Sequence, residues 1–223
     1  MNTGIVIPAR IASTRFPNKM LAELNGVPLI KHVYDICAST GFETYVLTDS
    51  EEIAKIVPSK LTSEADNGTE RCALKAIEIG WDAYINVQGD MPDITPQIIA
   101  KVALALETNH VVTAYTDMNP VDRANPDSVK LIHNENKAHW FCRASLEYGD
   151  HHLGVYGYSR AALLEYMNLK KTKEEEIEKL EQLRWLQNNI DIAVVKVEFD
   201  GIEINTPEDL EEWHNKNYQS KTY

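Results

Sequence analysis

Residues 4–8 are almost unbroken apolar sequence, as expected of a strand covered on both faces in a mostly parallel sheet. The period then changes, and Ile30, Val33, Tyr34 and Cys37 recur at helical spacing. Residues 44–48 read as a second strand. Asp49, with Glu52 three residues on, forms a capping-box pattern that starts a helix at Glu51. The alternation continues with helical Cys72, Ala73, Ala76, Ile77 and Ile79, then a strand at 83–87. Thr95 and Pro96 open a helix that ends near Thr108, and residues 111–115 make a further strand. Strands joined by helices of this length require right-handed crossovers and place ligands beyond the carboxyl ends of the strands. Pro8-Ala9-Arg10 and Gln88-Gly89-Asp90 both fall at such ends.

From Asn125 the rhythm shortens, with β-like pieces at 129–132, 140–143 and 153–158. These predict a small β-rich subregion, about 125–165, inserted on the main sheet. Residues 172–188 predict one long amphipathic helix, acidic in its first turn and apolar at Ile177, Leu180, Leu183 and Leu186. A strand at 191–199 follows. Thr206-Pro207-Glu208-Asp209 then combines a Thr cap, proline at the first helical position and an acid that reaches back, so a closing helix runs to about Asn217. The polar tail, 218–223, is expected to fray. The pattern gives an α/β fold with a mostly parallel sheet flanked by helices.

Composition adds limits. A chain of 223 residues fits a single α/β domain, and a formal charge of -12 argues against nucleic acid or an anionic membrane as the main partner. Cys37, Cys72 and Cys142 are odd in number and form no CxxC pair, which points to buried free thiols in a reducing compartment. No apolar run reaches spanning length and the N-terminus has no signal-like core, so a soluble, cytoplasmic protein is expected.

Against that acidic background one loop stands out. Arg10, Arg15 and Lys19 follow the first strand with no acid before Glu23, and Pro8 and Pro17 stiffen the backbone of the loop. The loop has neither GxxxxGK[ST] nor GxGxxG, so the three cations would hold a polyanion such as triphosphate by charge-assisted bonds rather than a glycine cradle. A solvated basic loop is the bland reading of the same residues.

The stretch PARIASTRFPNK resembles the PARxxSTRxPGK signature of the CMP-Kdo synthetases, cytidylyltransferases that activate 3-deoxy-manno-octulosonate (Kdo). Further motifs match in order: Gly68-Thr69-Glu70-Arg71, Asn86-Val87-Gln88-Gly89-Asp90, Asn125-Pro126, Val129-Lys130, His152-Leu153-Gly154-Val155-Tyr156-Gly157-Tyr158, Leu180-Glu181-Gln182-Leu183-Arg184 and Thr206-Pro207-Glu208-Asp209-Leu210. The resemblance covers nearly the whole chain. It implies a nucleotide-diphospho-sugar transferase fold, a homodimer, CTP and Kdo as substrates, Mg²⁺ as cofactor, and sugar activation for lipopolysaccharide or capsule.

The resemblance also implies roles. Arg10, Arg15 and Lys19 would bind the triphosphate and stabilise the leaving pyrophosphate, with Arg10, Lys19 and Asp90 as the catalytic set. Pro8, Ala9, Gly68, Thr69, Arg71 and Gln88 would border the nucleotide. Thr69 and Glu70 serve equally well as caps of the following helix, and Arg71 as its surface residue. Arg143 suits the sugar carboxylate, while Gln88, His152, Tyr156, Glu181 and Gln182 suit its hydroxyls. His151 reads as an ordinary loop histidine. Asp90 is the expected metal ligand, joined by Asn205, which stands where the family pattern has aspartate. Asp200 and Glu203 are nearby substitutes.

Two other positions depart from the pattern. Met91 replaces an acid after Gln-Gly-Asp, and Asn18 replaces a glycine, a place where asparagine can take positive φ. The segment between Arg143 and His152 is shorter than usual for the family, leaving room for a modified sugar. A sialic-acid-like ulosonate is the alternative acceptor. A CTP- or sugar-binding homologue without catalysis is the alternative of another class.

Overall fold

The computed structural model describes residues 1–13 and 15–219. In chain order, β1 (Thr3–Ala9) leads through a loop and a 3-10 turn, Lys19–Leu21, into the hairpin β2 (Glu23–Leu24) and β3 (Val27–Pro28). There follow α1 (Leu29–Ala38), β4 (Glu43–Thr48), α2 (Glu51–Ala54), β5 (Ser59–Leu61), α3 (Gly68–Ile79), β6 (Ala83–Val87), α4 (Pro96–Ala105) and β7 (Val111–Thr116). The second half comprises α5 (Pro120–Ala124), β8 (Lys130–His133), β9 (Ala138–Cys142), β10 (Asp150–Ser159), α6 (Arg160–Tyr166), α7 (Lys173–Glu178), α8 (Leu183–Gln187), β11 (Ala193–Lys196) and α9 (Pro207–Gln219).

The main sheet runs β11-β7-β10-β6-β1-β4-β5, with β8 and β9 attached through β10. β1 pairs in parallel with both β4 and β6, which brings the carboxyl ends of β1 and β6 side by side. Successive residues of β1 feed opposite layers: Ile5 and Ile7 join one apolar core and Val6 the other. Burial on both faces explains why this strand is apolar throughout rather than alternating. All three cysteines are free and buried. Among the described residues no helix is long and apolar enough to cross a membrane.

Residues 153–158, expected within the inserted subregion, run through the middle of the main sheet as β10, antiparallel to both β6 and β7. Only β8 and β9 stand out from the sheet as the antiparallel addition. The 172–188 helix is corrected: it is two short helices separated by a turn. Lys179 takes the left-handed conformation, φ 54°, at the C-cap of α7; Ile177 is 66% exposed while Leu180 and Leu183 are buried. The physical cause is tertiary. Glu175 in α7 and Arg184 in α8 form a buried two-bonded pair, 2.6 and 2.8 Å, that folds the halves together.

Smaller corrections concern helix ends. The cap of α2 is Ser50, whose Oγ accepts from Ile53 N–H; Asp49 is instead spent on Arg71. The helix opened by Thr95 ends at Ala105 rather than near Thr108. The Thr206 start signal forms as a reciprocal box. Thr206 Oγ1 accepts from the Asp209 N–H, while Asp209 Oδ2 accepts from the Thr206 and Asn205 amides, each at 2.7 Å. Of the tail expected to fray, residues 220–223 lie outside the described residues.

Candidate active site

A cavity of about 660 Å³ opens where β1 and β6 end, walled on one side by the basic loop and on the other by the turn between α7 and α8. It gathers Pro8, Ala9, Arg10, Arg15, Lys19, Gly68, Arg71, Gln88, Asp90, Arg143, His152, Tyr156, Glu181, Gln182 and Asn205. Of the site residues expected from sequence, Thr69 alone does not line it. In a chain of -12 the lining carries as many basic as acidic side chains, so positive charge is concentrated here.

The basic loop is tied to partners across the cavity. Lys19 Nζ donates to Asp90 Oδ2 at 2.7 Å, and Arg15 Nη1 pairs with Asp127 while its Nη2 donates to Asn205 Oδ1 at 3.1 Å. Arg10 is exposed at the end of β1 and has no such partner among the described residues. Asn18 does adopt positive φ, 56°, immediately before the 3-10 turn that sets Lys19 inward. Met91 is wholly buried in the apolar core, a place with no water for an acid.

At the head of α3 the cap is Asn67, whose Oδ1 accepts from Glu70 N–H, and Glu70 accepts from Asp66 N–H in return. Thr69 is fully buried: its hydroxyl bonds Tyr158 at 2.8 Å and its N–H donates to Glu181 Oε2 at 3.0 Å. It therefore neither caps the helix nor reaches the cavity, which corrects its expected nucleotide contact. Arg71 is not a surface residue. It is 3% exposed and bound to Asp49, Thr62 and the Ser63 carbonyl. Gly68 sits in close quarters: a Cβ there would lie 3.0 Å from Gln88 Nε2 and 3.3 Å from Pro8 Cγ, with Glu181 Oε1 at 3.4 Å, so these side chains would have to give way by a few tenths of an ångström. Loop, strand end and turn meet at that point.

On the far side, Arg143 donates through Nε to the Glu178 carbonyl and through Nη1 to the Pro126 and Asp127 carbonyls, leaving Nη2 uncommitted among the described residues. Beneath it Lys130, fully buried, donates to the carbonyls of Asn125, Ser128 and Arg143, and so shapes the loop that carries Asp127. Tyr156 donates to Gln182 Oε1 at 3.2 Å, and Gln182 Nε2 is buried without a partner among the described residues. His152 bonds Thr113 Oγ1 at 2.9 Å; since that hydroxyl donates to the Val155 carbonyl, the imidazole carries its proton on Nε2 and keeps Nδ1 as acceptor. Burial, with His151 and Arg143 nearby, pushes His152 down to about 3, so it is neutral. His151, read as a loop residue, belongs to β10.

Two acids of the site are raised. Burial lifts Glu181 above the usual carboxylate range, with the Thr69 amide pulling back. Burial and the charge of Asp90 push Glu203 up to about 7, opposed by Lys19 and the Gly154 amide. The hard oxygen donors that could hold a divalent cation are Asp90, Asn205 and Glu203. Among the described residues no cluster of three or more His, Cys, Asp or Glu side chains has ligand geometry. Sequence reasoning passed over Asp127, although it follows the quoted Asn125-Pro126; its role as the counter-charge of Arg15 depends on a contact spanning 112 positions.

The sequence pattern of the cytidylyltransferase family matches residues 4–192. The chain is 40% identical to the 3-deoxy-manno-octulosonate cytidylyltransferase of Nitratiruptor sp., over 92% of this chain and 96% of that protein. It is 37% identical to the enzyme of the same name from Acidobacterium capsulatum, over 94% of each. Among solved structures, CMP:2-keto-3-deoxy-manno-octonic acid synthetase complexed with CTP superposes with a TM-score of 0.92 at 29% identity, covering 99% of this chain and 100% of that one. The 4-diphosphocytidyl-2C-methyl-D-erythritol synthase of Anaerococcus prevotii shares the fold alone, at TM-score 0.67 and 14% identity over 97% of this chain and 98% of that one.

Proposed function

The chain belongs to the cytidylyltransferase family, and from that membership and its cavity we propose that it transfers CMP from CTP to the anomeric hydroxyl of Kdo, releasing pyrophosphate. The observation that carries this reading is the joining of two unlike ends in one cavity. A basic loop faces Asp90 at one end, and Arg143, Tyr156 and Gln182 line the other.

The chemistry follows from the positions. The anomeric oxygen attacks the α-phosphorus, its proton is lost, and the bond to the pyrophosphate breaks. Both substrates are anions, so positioning and charge offset are the protein's main task. Arg10, Arg15 and Lys19 receive the triphosphate and the charge that grows on the leaving group. The backbone around Pro8, Ala9 and Gly68 borders the nucleotide, and the buried Arg71 holds that wall in place. At the acceptor end, Arg143 Nη2 meets the sugar carboxylate, while Gln182 Nε2 and His152 Nδ1 offer a donor and an acceptor to its hydroxyls. Glu181 acts through Thr69, tying the acceptor turn to the nucleotide wall.

Mg²⁺ is part of the reading. Asp90 and Asn205 fit it, since both present hard oxygen donors beside the basic loop, and they would hold the ion against the triphosphate. When bound, it supplies positive charge that polarises the phosphate oxygens. The enzyme works as a cytoplasmic homodimer in this reading, which light scattering of the purified protein tests.

The decisive assay measures pyrophosphate release with CTP and a panel of ulosonates. Release with CTP and Kdo together, and with neither alone, is expected. A preference for a nine-carbon ulosonate, or CTP binding without release, overturns the assignment.

A further inference from the structure

Glu203 is the one acidic side chain of the cavity with a carboxylate oxygen that is both sealed from solvent and without a hydrogen-bond partner among the described residues. A carboxyl oxygen buried without a hydrogen-bond partner is costly, and the cost is met by a proton or by a bound ligand. What stands beside it is informative. The Ile204 amide donates to the Asp90 backbone carbonyl at 2.9 Å, so the segment carrying Glu203 and Asn205 runs alongside the end of β6. Lys19 Nζ lies 2.7 Å from Asp90 Oδ2, and Lys19, Asp90, Glu203 and Asn205 all line the same cavity. The end of β6 and the segment beside it thus bring Asp90, Glu203 and the Asn205 amide oxygen to one wall of the cavity, with Lys19 paired to Asp90.

We propose that Glu203 is the second protein carboxylate of the divalent-cation site, paired with Asp90, and that the Lys19 ammonium stands in the cation's place until substrate arrives. This rests on the proposed use of Mg²⁺. Lys19 belongs to the loop that receives the triphosphate, so nucleotide binding draws its charge toward the phosphates and leaves Asp90 and Glu203 facing each other. A dication answers that excess negative charge, and hard anionic oxygens are its preferred ligands. Asn205 contributes a neutral oxygen only. The second negative charge therefore comes from Glu203.

Mn²⁺ serves as the probe, followed by electron paramagnetic resonance with CTP present and no sugar, so that nothing turns over. Glu203→Gln is expected to weaken Mn²⁺ binding in the ternary complex at least ~10-fold, the loss that even outer-shell partners of a metal produce. Adding Asn205→Asp to that variant restores it. Wild-type affinity in Glu203→Gln, alongside loss in Asp90→Asn, overturns the role of Glu203 and leaves the metal reading standing. Failure of the wild type to take up Mn²⁺ beyond what CTP binds in solution overturns the metal reading itself. Should Glu203→Gln not fold, electron–nuclear double resonance on wild-type protein carrying ¹³C-carboxylate glutamate decides: a ¹³C coupling to Mn²⁺ supports the proposal and its absence refutes it.

Discussion

Lys19 Nζ lies 2.7 Å from Asp90 Oδ2, joining the basic loop after β1 to the end of β6, with the two side chains 11% and 22% exposed. The pair brings a cation proposed to bind phosphate and an acid of the cavity into contact across 71 positions of sequence. Lys19→Met removes a donor proposed to meet the leaving group and takes from Asp90 its paired cation. Turnover is expected to fall about 10²- to 10³-fold, the usual loss for a preorganised charge donor. Steady-state pyrophosphate release, with circular dichroism to confirm folding, measures it; a fall below 10-fold would remove Lys19 from the chemistry.

Arg143 spends Nε and Nη1 on backbone carbonyls, and its Nη2 is the donor proposed to meet the sugar carboxylate. Arg143→Lys loses the carbonyl contacts of Nε and Nη1 together with the free Nη2. KM for the sugar is expected to rise about 10- to 100-fold, matching the ~1.5–3 kcal/mol of a hydrogen bond to a charged group. KM for CTP should stay within about twofold, because the nucleotide wall is unaltered. Equal rises in both constants would show that Arg143 only holds the loop.

Glu175 and Arg184, both buried, clamp the two short helices whose turn carries Glu181 and Gln182. Glu175→Gln leaves a buried guanidinium without its counter-charge, at an expected cost of about 3 kcal/mol. Urea denaturation reads this directly. The sugar KM should rise with it while the CTP KM moves less, since the clamp acts on the acceptor side.

His152 makes stability depend on pH. Its folded value, about 3, lies below the ordinary imidazole value of 6.5, so the unfolded chain binds the extra proton. Its contribution is whole above about pH 6.5 and is lost as the pH falls toward 3. Between pH 7 and pH 5 the wild type should lose about 2 kcal/mol more stability than His152→Gln, at ~1.4 kcal/mol per pH unit for one proton. Parallel urea titrations at the two pH values test it, and equal losses in both proteins would refute it.

What the sequence determined is what is set locally. The apolar run of β1 follows from burial on both faces, and the box at Thr206 and Asp209 closes within four residues. The cations of the first loop were legible from their order alone as candidates for holding a polyanion. Asn18 at positive φ was legible because few side chains tolerate that conformation.

Tertiary structure decided what depends on distant partners. The periodicity of residues 172–188 suits one helix, yet the Glu175–Arg184 pair and the turn at Lys179 break it, which is what lets Gln182 face the cavity. β10 enters the sheet antiparallel between β6 and β7, and no local pattern encodes which strands will flank it. Thr69 was turned inward by Tyr158 and Glu181, and Arg15 was given Asp127, through contacts 89 and 112 positions apart. The sequence therefore named most of the candidate groups that line the cavity. Their charges were paired, shielded or left exposed only when the sheet brought β1, β6 and the acceptor turn together, because that is where burial and proximity are set.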